Sequence, residues 1–155
     1  MKILKIIIIL LMFLSLNSCG FSKLNDETKN ISFGIINIDG NKRVAYELKN
    51  KINLISKENA ERKYDVSIFL SDFRESKIKN VAGKTTRYNS RLSANVKLID
   101  NYNRKEYNRT FNVSSDYDVS NNHSDTIKNE KISLQNNIEK LSEEITKYIQ
   151  LIALN

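Results

Sequence analysis

Hydrophobic residues follow three rhythms along this chain. An unbroken aliphatic run fills most of Ile6 to Leu16, period-two alternation dominates the middle, and a three-and-four step runs through the last third. After a polar stretch from Phe21 to Asn30, Ile31-Ser32-Phe33-Gly34-Ile35-Ile36-Asn37-Ile38 is apolar at alternate positions until the phase slips at Ile36, which predicts a first strand. Asp39-Gly40-Asn41 breaks it, with Asn41 placed as an N-cap. Val44, Ala45, Leu48, Ile52 and Ile55 then share one face of a helix from about Lys42 to Lys57. Tyr64, Val66, Ile68 and Leu70 alternate with Asp65, Ser67, Phe69 and Ser71 and predict a half-buried strand. The polar stretch Asp72 to Thr86, which includes Gly83, is either a long hairpin loop or a frayed continuation of that strand. Leu92, Ala94, Val96 and Leu98 against Arg91, Ser93, Asn95 and Lys97 make the clearest strand, and Asp100 to Asn103 is a turn. Tyr107, Arg109, Phe111 and Val113 form the return strand. A long helix follows, capped by Ser124 or Asp125, with Leu134, Ile138, Leu141, Ile145, Tyr148, Ile149 and Ile152 on its inner face. The order βαβββα predicts an α+β fold: a two-layer α/β sandwich in which a four-stranded, mostly antiparallel sheet packs against two helices.

The first rhythm belongs to a different kind of segment. Lys2 and Lys5, the aliphatic run and a small residue before Cys19 have the layout of a secretory signal peptide. The run falls short of the roughly 20 residues that a membrane-spanning helix needs. Leu16-Asn17-Ser18-Cys19 resembles the bacterial lipobox, in which the cysteine is acylated and becomes the first mature residue. Cys19 is the only cysteine, so no intramolecular disulfide can form, and lipid attachment accounts for an otherwise unpaired thiol. The expected organisation is a lipoprotein signal over residues 1–18, a lipidated N-terminus and linker over 19–30, and one domain over 31–155. Gly20, rather than Asp, after the cysteine resembles lipoproteins forwarded to the outer membrane.

Charge adds a candidate surface. Between Lys63 and Thr110 there are eleven Lys or Arg against five Asp or Glu, and from Ser76 to Leu92 five cations (Lys77, Lys79, Lys84, Arg87 and Arg91) with no acid. Such a block points to an anionic partner. In the compartment that the leader implies, anionic glycolipid or phospholipid fits better than nucleic acid, although a chain rich in Lys, Asn and Ile would show such a block from composition alone. Catalytic chemistry is not visible. His123 is the one histidine and falls in a polar Asn-Asn-His-Ser loop, no second His or Cys could build a metal site, and there is no nucleophile elbow or Gly-rich phosphate loop. Asp116 and Asp118 flank Tyr117 in what reads as ordinary loop composition. The expectation is a non-enzyme with no catalytic residues, no metal and no cofactor.

With these segments in place the chain resembles the LPS-assembly lipoprotein LptE family in its alphaproteobacterial form. The resemblance rests on Cys19-Gly20-Phe21, on Ile31-x-Phe33-x-x-Ile36, and on Leu48-Lys49-Asn50-x-Ile52. It continues through Tyr64-Asp65-Val66-Ser67-Ile68, Arg87 with Leu92-x-Ala94-x-Val96-x-Leu98-x-Asp100, and Ser115-x-Tyr117. The last helix departs from the family, being rich in Lys, Glu, Ser and Asn where Ala and Arg are usual. The resemblance implies a lipid-anchored outer-membrane protein, facing the periplasm and the barrel lumen, that plugs the LptD β-barrel and assists lipopolysaccharide transport. Joined to the basic block, it leads to the expectation that Lys84, Arg87 and Arg91 pair with lipid A phosphates, with Lys77 and Lys79 adding long-range attraction. The partners expected are therefore LptD and lipopolysaccharide, with no nucleic acid. The alternatives are an auxiliary lipoprotein of an ABC-type phospholipid-transport system, or a periplasm-facing lipoprotein of other binding function.

Overall fold

A computed structural model describes residues 31–154; the signal segment, Cys19 and the linker before Ile31 lie outside the described residues. The elements run β1 (Ile31–Asp39), α1 (Lys42–Asn53), β2 (Arg62–Lys79), β3 (Thr85–Asp100), β4 (Glu106–Asp118) and α2 (His123–Ala153). The four strands lie in the order β1-β2-β3-β4, with β1 parallel to β2 and the other neighbours antiparallel. The α+β sandwich and the order βαβββα are as the alternation predicts.

The phase slip in β1 is a bulge. Pairing with β2 is interrupted between Phe33 and Ile36, where the Ile35 N–H donates to Asp65 Oδ1 at 2.8 Å instead of to the ladder. The extra residue lets Ile36 and Ile38 turn back toward the helices. Gly40 then reverses the chain at φ +120°, and a Cβ there would lie 2.5 Å from the Leu70 carbonyl oxygen. Asn41 caps α1 as expected, its side chain accepting from the Arg43 and Val44 N–H groups. The helix ends at Asn53, four residues before the expected Lys57. Ile55 and Ser56 close tighter i−3 bonds, and the Lys57 N–H donates to the Ile31 carbonyl at 2.7 Å. The need to bring the chain back to the sheet ends the helix, and Ile55 still packs against the core from the loop.

The polar stretch after Leu70 is strand rather than loop. β2 continues to Lys79 and β3 begins at Thr85, so a tight turn at Asn80–Lys84 joins two strands of 18 and 16 residues. Asn80 closes this turn, its Oδ1 accepting from the Ala82 and Lys84 N–H groups, and Gly83 supplies φ +75°. β4 runs on past Val113 to Asp118, which places Asp116 and Asp118 in a strand and not in a loop. In α2 the cap is Asn122, whose side chain accepts from the Ser124 N–H, and His123 is the first helical residue. Asn122 provides the same side-chain acceptor that Ser124 or Asp125 would, two or three positions earlier.

Among the described residues one face of the sheet is covered and one is bare. Val44, Leu48 and Ile52 of α1 and Ile138, Leu141, Ile145 and Ile149 of α2 close over Tyr64, Val66, Ile68, Leu92, Ala94, Val96 and Leu98, all nearly inaccessible. The other face shows Ser67, Ser71, Asn95 and Asn112 with Phe69 and Phe73, both 58% exposed. β1 stops opposite Phe69, so the hairpin beyond it extends as a two- and three-stranded arm. No helix among the described residues is long and apolar enough to cross a membrane.

Candidate anion-binding face of the long hairpin

Alternation decides which cations share a face. In β3 the even-numbered residues from Tyr88 to Leu98 point to the helices, so Arg87 and Arg91 stand together on the bare face, about 13 Å apart along the strand. Lys77 reaches the same face from β2. Lys84 sits apart in the turn, and Lys79 lies at the end of β2. The structure thus brings Lys77, Arg87 and Arg91 together and leaves Lys79 and Lys84 at the tip.

The block lacks acids in sequence but not in space. Arg87 Nε bonds Asp118 Oδ1 at 2.6 Å, Arg91 bonds Glu75 at 3.2 Å, and Lys77 pairs with Asp116 across the intervening β3. Asn89 fills the gap in that longer pair, its amide donating to Asp116 Oδ1 at 2.8 Å. Hydrogen bonds from Lys77 and then Asn89 hold the Asp116 carboxyl below the usual carboxylate range, and the bond from Arg87 does the same for Asp118. Three cations therefore face three carboxylates, while Lys79 and Lys84 carry no ion pair among the described residues. Glu75, Asn89, Asp116 and Asp118 are neighbours of these cations that a local reading of the chain misses. The signal for them is the continued alternation of Phe73, Glu75 and Lys77, and of Ser114, Asp116 and Asp118.

Part of this cluster borders a shallow cavity of about 390 Å3 lined by Glu75, Ser76, Lys77, Asn89, Arg91 and Ser114. Phe73 pairs directly with Arg91 in the sheet and sits beside it on the same face. Cation, amide donor and exposed ring are combined there, an arrangement suited to an anionic amphiphile. Exposed ion pairs contribute little to stability, at most about 1 kcal/mol, so a phosphate can displace a carboxylate from Arg91 or Arg87 at small cost. A guanidinium also takes two phosphate oxygens in its fork.

On the opposite face of the arm, Arg74 holds a separate cluster. It lies 4.9 Å over the Tyr88 ring, donates to the Tyr117 hydroxyl at 3.4 Å and pairs with Glu130 of α2 at 3.3 Å. Tyr88 and Tyr117 stack at 5.6 Å. This cluster tethers the arm to the first turns of α2 and belongs to the scaffold.

No family model matches the sequence, and no curated protein does. Solved structures do. Rare lipoprotein B from Shewanella oneidensis superposes with a TM-score of 0.62 at 9% identity, over 81% of this chain and 96% of that one. An uncharacterized lipoprotein B from Nitrosomonas europaea gives 0.54 at 12% identity over 84% and 91%. A Caulobacter crescentus chain, provisionally named a lipoprotein, gives 0.55 at 16% identity over 82% and 92%. The chain has the fold of these lipoproteins. At such identities the likeness extends to architecture alone.

Proposed function

We propose that the protein is an outer-membrane lipoprotein, anchored through an acylated Cys19. In this reading it serves as plug and assembly partner of the LptD β-barrel in lipopolysaccharide transport. Its role is binding and not catalysis. The observation that carries the reading is the bare sheet face, where Phe69 and Phe73 lie beside Arg91, Lys77 and Arg87 on an arm projecting from the packed body. Such a face offers apolar contact and phosphate pairing at once. Fold likeness to lipoproteins and the lipobox-like leader support the anchor.

Lys77, Arg87 and Arg91 contact lipid A phosphates in this reading, with Lys79 and Lys84 at the tip of the hairpin attracting the ligand from further away. These side chains are solvent-exposed and already paired, so each contact is weak. Replacing all three by Gln should weaken lipopolysaccharide binding by the chain from Gly20 onward by up to about a hundredfold, with a reduced dependence on salt. The same variant should still capture a large β-barrel from gently solubilised outer membranes. Unchanged glycolipid affinity would remove these residues from the site. Recovery of inner-membrane transport components instead of a barrel would replace the plug role with that of a phospholipid-transport auxiliary.

A further inference from the structure

Among the described residues the sheet has three free edges, and two are blunted. β1 carries the bulge at Phe33–Ile36, and the overhanging part of β2 carries register breaks at Ser76/Ile78 and Ile78/Lys79. β4 carries none. Its register with β3 is unbroken from Asp118 opposite Arg87 to Glu106 opposite Ile99, and the chain contains no proline. A long regular edge without bulge or proline is a template for another strand.

The backbone groups on that edge can be assigned. Val119 N–H donates to Thr86 and the Lys105 carbonyl accepts from Asp100, so the odd-numbered residues of β4 face β3. Asn108, Thr110, Asn112, Ser114 and Asp116 therefore turn their N–H and C=O groups outward. Beyond them the Asp118 carbonyl is taken by the Asn129 side chain at 3.0 Å, which marks where the open edge ends.

Alongside runs the outer flank of α2, and two cavities lie in the seam. One is bordered by Ile132, the other by Lys147 and Leu151. Ile132 and Leu151 are 50% and 57% exposed. They stand about 28 Å apart along the helix, and Asn108 to Asp116 spans about 27 Å of strand. The two stretches are also centred together. Ser115 bonds Ser133 and the Phe111 ring meets the Tyr148 ring at 5.5 Å, so the midpoint of the open edge lies beneath the middle of that helical stretch, near Lys140.

We infer that this seam is an interface with a second copy of the chain, with β4 paired antiparallel to β4 across a two-fold axis at Asn112, so that two sheets join into one of eight strands. The surface complements itself under that operation. On the edge, Asn112 meets Asn112, Thr110 meets Ser114, and Asn108 meets Asp116; at the two ends Glu106 falls opposite Asp118, each already paired within its own copy, with Lys97 and with Arg87. On the flank, Ile132 meets Leu151, Asn136 meets Lys147, and Lys140 falls beside Glu143 and Glu144 of the second copy. Because α2 packs over β3 and β4, the two α2 helices come to lie two strands apart, about 10 Å, which is an ordinary helix-packing distance. The patch is small against the roughly 800 Å2 per partner of standard interfaces, so association in the micromolar range is expected. The inference does not rest on the proposed function.

A residue on the axis meets itself, so one cysteine tests the geometry. Directly paired strand residues lie about 5.5 Å apart at Cα, within disulfide reach. Full-length protein in detergent carrying Asn112→Cys should give a species of twice the chain mass under mild oxidation, above the background of the parent with Cys19 alone. Asn95→Cys, equally polar but on the interior strand β3, should not. In sedimentation equilibrium Lys140→Glu should weaken association about tenfold by placing like charges together, and Lys140→Glu with Glu144→Lys should restore it. Monomer mass at high micromolar concentration, equal cross-linking at Asn112 and Asn95, or disulfide adducts to a protein of different mass would each overturn the inference.

Discussion

Val96 and Asn95 are consecutive residues that meet opposite environments. Val96 is 2% exposed beneath the helices, while Asn95 lies on the bare face and accepts from the Thr110 hydroxyl at 2.8 Å. Val96→Asp buries a charge with no partner and should destabilise the fold by roughly 3 kcal/mol. Asn95→Asp keeps the acceptor in water and should stay within about 0.5 kcal/mol of the parent. Urea unfolding monitored by circular dichroism separates the two, and equal midpoints would mean that the assigned face is wrong. This assignment was legible from alternation alone, because a one-residue slip would have buried Arg91 and Lys97. The bulge at Gly34–Ile35 was legible in the same way, as a slip of phase at Ile36. The partners of Arg87 and Lys77 were not. Asp118 and Asp116 lie 31 and 39 residues away, and their identity depends on a register across three strands that no local pattern encodes.

At the scale of the element, the hairpin departs furthest from a reading based on apolar rhythm. Beyond Leu70 the alternation persists, but its inward positions become Asp72, Arg74 and Ser76, because α1 ends its cover near Gly40. Hydrophobic periodicity fades where nothing is left to bury against, and a strand then looks like a loop. What holds this part together is backbone pairing, the Arg74–Tyr88–Tyr117 cluster and the ion pairs of the bare face. Those pairs respond to acid. Asp116 and Asp118 have folded pKa values depressed by Lys77, Asn89 and Arg87, so the unfolded chain binds protons more readily than the folded one. Their contribution is complete above the unfolded carboxylate value of about 4 and is lost as pH falls through the lower folded values. Amide exchange at Arg87 and Asn89 should therefore accelerate selectively below that range, and the Asp116→Asn, Asp118→Asn double variant should lack this acid-dependent step. Identical pH profiles for parent and variant would show that the pairs do not secure the hairpin.

For the molecule as a whole, the distribution of burial predicts two levels of stability. Around Tyr64 to Leu70 and Leu92 to Leu98, both helices close over strands whose inward side chains are almost fully buried. Along Asp72 to Lys79 every residue is exposed, and Thr85 to Ser90 is half-buried at most. The contacts that α2 makes toward this end are polar: Ser133 with Ser115, and Asn137 with the Ser90 carbonyl at 2.9 Å. An arm three strands wide out to Arg87 and two strands wide beyond it, with exposed polar positions along β2, is marginal on its own, so it should open without the body unfolding. Native-state hydrogen exchange at neutral pH should show amides of Arg74 to Lys79 and Thr85 to Tyr88 exchanging at least about a hundredfold faster than those of Val66 to Leu70 and Leu92 to Leu98. The fast set should be insensitive to low urea, because such an opening exposes little new surface, and the slow set should follow global unfolding. Equal protection across the full length of β2 and β3 would mean that arm and body form one cooperative unit. An arm that opens independently could yield to a ligand on its bare face while the packed end keeps its shape. Cations placed on β2 and β3 beyond the helices would then combine a firm scaffold with a compliant contact surface.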